Sequence, residues 1–300
     1  MAGLRVRSVL VTGANRGIGL GFVQQLLGMP NPPEWVFAAC RDPKGQRAQE
    51  LQNLASKHPN LVIIPLEITD PASIKGAAAK VREKVGGSGL NLLINNAGIT
   101  KQIPLDNETL ETMTQIYTTN TIGPLLLSQA FLPLLKKAAQ GSPGSALSCS
   151  KAAIVNMSSS GGSITSPYGW ELMPVVSYRC SKAALNMLTK CQSLGYREHG
   201  VLCVALHPGW VQTDLGGSAG HTVGVSLQRV HQSPCAHVPR AGGAAPAPEH
   251  DLPPAPSLPG QLPLPRVPGA PGPSAPCSAP LPRAGSSAPA LGRLLPPGSP

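Results

Sequence analysis

The chain has 300 residues, a formal charge of +10 and 41% hydrophobic residues, enough for one α/β domain with an appendage. The charge is spread along the sequence without a lysine or arginine block, which argues against the concentrated basic patch of a nucleic-acid or membrane-surface protein. Seven cysteines form no CxxC pair and no ligand-like spacing with histidine, so neither a disulfide framework nor a metal centre is expected; they read as reduced cytoplasmic thiols.

From Arg5 and Arg7 the chain enters an apolar run, 6–11, too short for a signal sequence or a membrane span. Residues 9–19 read VLVTGANRGIG, a buried strand, a glycine turn and a helix start. Gly13, Gly17 and Gly19 allow a tight turn, close approach of a pyrophosphate and close packing of helix on strand. The helix N-terminus then presents free N–H groups to the phosphates. Ile18, Phe22 and Leu26 share one face of that helix. The second strand, 35–40, ends at Cys40 and Arg41, where a carboxylate would hold a ribose diol and repel a 2′-phosphate. A neutral residue there removes the repulsion, and the guanidinium beside it can fork onto a phosphate. The alternative is that Arg41 solvates a loop beside Asp42.

Leu51 and Leu54 mark a second helix, 61–66 a third strand, and Ile74, Ala78 and Val81 a third helix. A fourth strand, 90–94, leads into Asn95-Asn96-Ala97-Gly98, and a helix over 110–137 is interrupted by Pro124. Proline has no N–H for the carbonyl of Asn120 four residues earlier, so a kink and a free carbonyl are expected. Strand 153–157 ends at Ser158-Ser159, and a stretch including Pro167–Met173 could line an apolar pocket or be a surface loop. Tyr178 and Lys182 stand one helical turn apart on one face, where an ammonium would lower the pKa of a phenol. Cys180 between them reads as a small buried residue. Strand 201–206 precedes His207, read as a packing residue, and Pro208-Gly209. The alternation predicts a doubly wound Rossmann-type parallel sheet of six strands, with Thr12, Cys40, Asn95 and Ser159 at the strand ends where ligands bind.

Thr-Gly-x-x-x-Gly-Ile-Gly, Asn-Asn-Ala-Gly, Asn-x-Ser-Ser, Tyr-x-x-x-Lys and Pro-Gly occur in that order. The set resembles the short-chain dehydrogenase/reductase family over residues 5 to about 222, in its carbonyl-reductase branch of sniffer and C-factor-like proteins. The resemblance implies reduction of an aldehyde, ketone or quinone by NADPH, in a monomer or homodimer. It assigns cofactor contacts to Gly13, Asn15, Arg16, Gly17, Ile18 and Gly19 in the turn and to Arg41, with Arg16 as a second charge on the 2′-phosphate. Further contacts fall to Glu67 near the adenine, to Asn96, Ala97 and Gly98, and to Pro208, Gly209, Val211 and Thr213 near the carboxamide. Tyr178 is implied as proton donor, Lys182 as ribose ligand, Ser159 as the hydrogen-bond donor to the substrate, with Ser160 as fallback, and the Asn120 carbonyl as holder of a relay water.

Family-like sequence continues through 213–218 and then becomes Pro-rich. Residues 224–300 contain 20 prolines, no aromatic residue and no isoleucine. They read as a disordered tail behind a 1–223 domain. The usual seventh strand and its helix are missing from this reading, and their loss makes a catalytically silent variant the alternative to an active reductase. Pro253, Pro256 and Pro259 form PxxP steps that an SH3 or WW domain could grip.

Overall fold

The computed structural model describes residues 5–142, 146–165, 170, 174–209 and 211–215. The Pro-rich tail, its PxxP steps, the position of a seventh strand, Trp210 and most of 167–173 lie outside the described residues, which all fall within one unit, 1–241. Six apolar runs form six strands: β1 (Ser8–Thr12), β2 (Trp35–Cys40), β3 (Leu61–Pro65), β4 (Leu92–Asn95), β5 (Ala153–Met157) and β6 (Leu202–Leu206). Each begins and ends within two residues of the span expected from sequence. The sheet is parallel throughout, in the order β3-β2-β1-β4-β5-β6. Between β3 and β4 the chain crosses to the other side of β1, which opens the crevice between the C-terminal ends of β1 and β4.

Both faces of the sheet are covered, so the strands are apolar on both sides rather than alternating. Leu10, Phe37, Ile64, Leu93 and Ile154 pack on one face with Ile74 and Val81 of α3 (Pro71–Val85) and Leu127 and Phe131 of α5 (Gly123–Gln140). Val9, Val11, Val36, Ala38 and Ile94 pack on the other with Val23 and Leu26 of α1 (Gly17–Leu27) and Leu51 of α2 (Gln49–Ala55).

The single helix expected over 110–137 is two helices. α4 (Leu110–Tyr117) passes through a π-helical turn, Thr118–Ile122, into α5. Pro124 explains the break, because it has no N–H for Asn120; the ladder slips one residue and Gly123 N–H bonds the Thr118 carbonyl. A second proline, Pro133, is accommodated within α5. The last helix, α6 (Val176–Gly195), carries Tyr178 and Lys182.

A buried polar chain ties these elements together. Asn95 of β4 donates to the Asn156 carboxamide oxygen at 2.8 Å, and Asn156 donates to Thr189 Oγ1 at 2.8 Å and Gln192 Oε1 at 2.9 Å on α6. Gln192 donates to Ser128 Oγ at 2.9 Å, and Ser128 donates to the Pro124 carbonyl at 2.6 Å. Breaking such a chain leaves buried groups unpaired, each costing about 1–3 kcal/mol. Asn156→Ala strands partners on both sides, so denaturant titration should show a loss of about 3 kcal/mol. A loss under about 1 kcal/mol would show that the chain is not shielded from water.

Candidate active site

The crevice is built on the turn after β1. Gly13 and Gly17 have φ of 63° and 52°, the left-handed region that glycine adopts without strain. Gly19 serves packing: a Cβ there would collide with the Gly13 carbonyl and stand 2.6 Å from Asn96 Nδ2. Asn96 holds the turn from the other side, donating to the Thr12 carbonyl at 2.8 Å and the Gly13 carbonyl at 3.3 Å. Thr12 Oγ1 in turn accepts the N–H groups of Asn96 and Ala97, each at 3.0 Å. The Asn96 amide group, expected among the cofactor contacts, is thus engaged in shaping the turn.

α1 begins at Arg16 with no side-chain cap and no acidic residue in its first turn. α5 and α6 start in the same way, whereas Asp70 caps α3 and Thr109 caps α4. The first N–H groups of α1 therefore meet no internal carboxylate, which suits an anion. They open onto a cleft of about 880 Å³ lined by Gly13, Asn15, Arg16, Gly17, Ile18, Arg41, Glu67, Asn96, Ala97, Gly98 and Thr213 of the expected set. Cys40 lines it too, its thiol pushed up by burial and secondarily by Asp42, so this end of β2 carries no thiolate at neutral pH.

Both expected phosphate-binding arginines have acidic neighbours. Arg41 lies 3.9 Å from Glu67, and Arg16 is ion-paired with Asp214. Glu67 is further anchored by the Thr69 N–H at 3.1 Å and hydroxyl at 3.0 Å. Arg47 also lines the cleft, a guanidinium the sequence reading passed over because it sits outside every motif. Asp214 falls in the family-like stretch 213–218, but nothing in the sequence gave it a role.

At the other end, four expected residues converge. Ser159 interacts with the Tyr178 side chain and favours its ionised form, whereas Ser158 donates to Asn186 Oδ1 at 2.6 Å on α6. Ser159 Oγ also accepts the Gly161 N–H at 3.0 Å. Gly162 lets this loop sit on α6, since a Cβ would come within 2.6 Å of the Lys182 backbone. Lys182 is 5% exposed, donates to the Met157 carbonyl at 2.7 Å and stands 5.4 Å from the centre of the Tyr178 ring. Asn120 is buried; its Nδ2 donates to the Ile99 carbonyl at 2.9 Å and Ser181 Oγ at 3.0 Å, and its Oδ1 accepts the Ile99 N–H at 2.9 Å. A Cβ on Gly98 would lie 3.3 Å from Asn120 Oδ1 and 3.7 Å from Lys182 Nζ, so this cluster adjoins the cleft wall.

Two expectations are corrected. Tyr178 is pushed up, not down: burial dominates, and the Ser159 hydrogen bond offsets it only in part. Cys180 is exposed, turned away from the cluster that flanks it in sequence. Among the described residues no group of three or more His, Cys, Asp and Glu could hold a metal ion, and no helix is long and apolar enough to cross a membrane.

Burial pushes the Lys182 ammonium down from 10.5 to about 8. Below pH 8 the folded chain holds a charge that the unfolded chain would hydrate, which lowers stability. Between pH 8 and 10.5 the folded form has shed that proton first, so the penalty fades as pH rises. Denaturant titrations should therefore show Lys182→Met gaining on the unaltered chain at pH 7, with the gap closing by about 3 kcal/mol toward pH 10.5. A gap independent of pH would contradict a buried charge.

The family model for short chain dehydrogenase matches residues 7–224. Among curated proteins, the chain is 33% identical over 216 residues to mouse estradiol 17-beta-dehydrogenase 2, covering 71% of this chain and 50% of that one; it spans about half the length of that relative. It is 30% identical to a short-chain dehydrogenase of Penicillium roqueforti, covering 73% and 84% of the two chains. Among solved structures it is similar to NADPH-bound carbonyl reductase from chicken fatty liver, with TM-score 0.73, 74% identity and coverage of 74% and 84%. Carbonyl reductase Sniffer of D. melanogaster follows with TM-score 0.69, 39% identity and coverage of 73% and 86%.

Proposed function

The chain belongs to the short-chain dehydrogenase family, and on that premise we propose that its 1–223 part is a cytoplasmic reductase of small carbonyl compounds, using NADPH. The observation that carries the reading is the buried Lys182 beside the Tyr178 ring, with Ser159 acting on the phenol, adjoining a glycine-shaped cleft. The cleft fits a dinucleotide: a Cβ at Gly13 or Gly19 would fill it or displace its wall, the α1 N-terminus is uncapped, and guanidinium groups stand at one end. Similarity to the NADPH-bound chicken enzyme supports the same cofactor.

When bound, NADPH supplies the hydride. Gly13, Asn15, Gly17, Ile18 and Gly19 would cradle the pyrophosphate, and Arg16 and Arg41 would take the 2′-phosphate. Pro208, Gly209, Val211 and Thr213 would hold the carboxamide end. Ser159 orients the substrate oxygen, and Tyr178 O–H donates the proton that this oxygen needs as the carbonyl carbon is reduced to the alcohol. Burial suits Tyr178 to this step, because the phenol stays protonated through neutral pH. Lys182, at about 8, exchanges protons near neutrality and can restore the phenol, with the Asn120 carbonyl beside Pro124 as the holder of a relay water.

Tyr178→Phe removes the donated proton while leaving the cleft intact. NADPH consumption with a reactive aldehyde or quinone should fall at least about 100-fold, within the range for general acid catalysis, with NADPH binding unchanged. Turnover within about twofold of the unaltered chain would remove Tyr178 from the chemistry.

A further inference from the structure

The segment after β6 lies over the glycine turn. A Cβ on Gly17 would stand 3.2 Å from Thr213 Cγ2, and one residue later Asp214 is ion-paired with Arg16. Arg16 begins α1 at the uncapped N-terminus, and both Arg16 and Asp214 line the cleft. The carboxylate thus occupies the guanidinium assigned to the cofactor phosphate. The side chains of the pair are 45% and 69% exposed, which makes the pair weak and screened by salt. A phosphate brings more charge and forked geometry to the same guanidinium.

We infer that Asp214 is a specificity-determining residue: an internal stand-in for the 2′-phosphate that must leave Arg16 before NADPH is fully bound. The inference rests on the assignment of this cleft to NADPH. Asp214 taxes NADPH, whose phosphate needs Arg16, and leaves NADH nearly untouched. Arg47 lines the same end and, among the described residues, makes no ion pair, so it offers the incoming phosphate a guanidinium that no carboxylate holds.

Titration of the full chain by fluorescence with NADPH and NADH tests this. Asp214→Asn should tighten NADPH about 3- to 10-fold at low ionic strength, an advantage that shrinks in high salt, with NADH within about twofold. Asp214→Glu keeps the charge and should behave like the unaltered chain. Unchanged or weaker NADPH binding by Asp214→Asn, or equal tightening of both dinucleotides, would overturn the inference while leaving the NADPH assignment standing. Absence of NADPH binding by the unaltered chain would overturn both.

Discussion

The contact on which the site depends is the mutual fastening of the β1 and β4 ends. Asn96 bonds the Thr12 and Gly13 carbonyls, and Thr12 Oγ1 accepts the N–H groups of Asn96 and Ala97. This lattice closes only because Gly19 has no side chain, since any Cβ would strike the Gly13 carbonyl. It sets the direction of α1, and with it the uncapped N–H groups that face the cleft. A parallel sheet leaves its strand ends open where the winding reverses; here that opening is shaped by side-chain amides.

The reaction cluster depends on the same sheet by a different route. Asn95 and Asn156 face each other in register on β4 and β5, and the next residue of β5, Met157, supplies the carbonyl that holds Lys182. Beyond Asn156 the polar chain reaches α6 and the Pro124 carbonyl, beside the π-helical turn that contains Asn120. The helix bearing Tyr178 and Lys182 and the turn bearing Asn120 are therefore indexed to one strand pair. Burial that fixes this geometry also raises Tyr178 and lowers Lys182, so the phenol holds its proton more tightly than the ammonium does and the lysine can return a proton to it.

The sequence was most legible where one local rule decides the outcome. Apolar runs with glycine or Asn-Asn at their ends marked six strands, and Pro124 marked the fault in the long helix, though as a kink rather than the π-helical turn that absorbs it. Less legible was what depends on partners distant in sequence. Spacing placed Lys182 near Tyr178 but did not reveal that burial would push the phenol up, nor that Cys180 would be exposed. The Asn-x-Ser-Ser pattern had pointed to Ser159, but not to Asn186, 28 residues from Ser158, as the partner of the preceding hydroxyl. Arg47 and Asp214 were missed because only folding brings them to Arg16.

On the proposed function, the glycine turn, the open α1 terminus and the guanidinium groups form an NADPH site in the folded chain. A thermal melt of the full-length protein with and without excess NADPH, with NADH in parallel, tests it most directly, because a ligand bound only by the folded state raises the midpoint. A cooperative melt should shift upward with NADPH and little with NADH. A broad melt with no shift, or equal shifts from both dinucleotides, would contradict it.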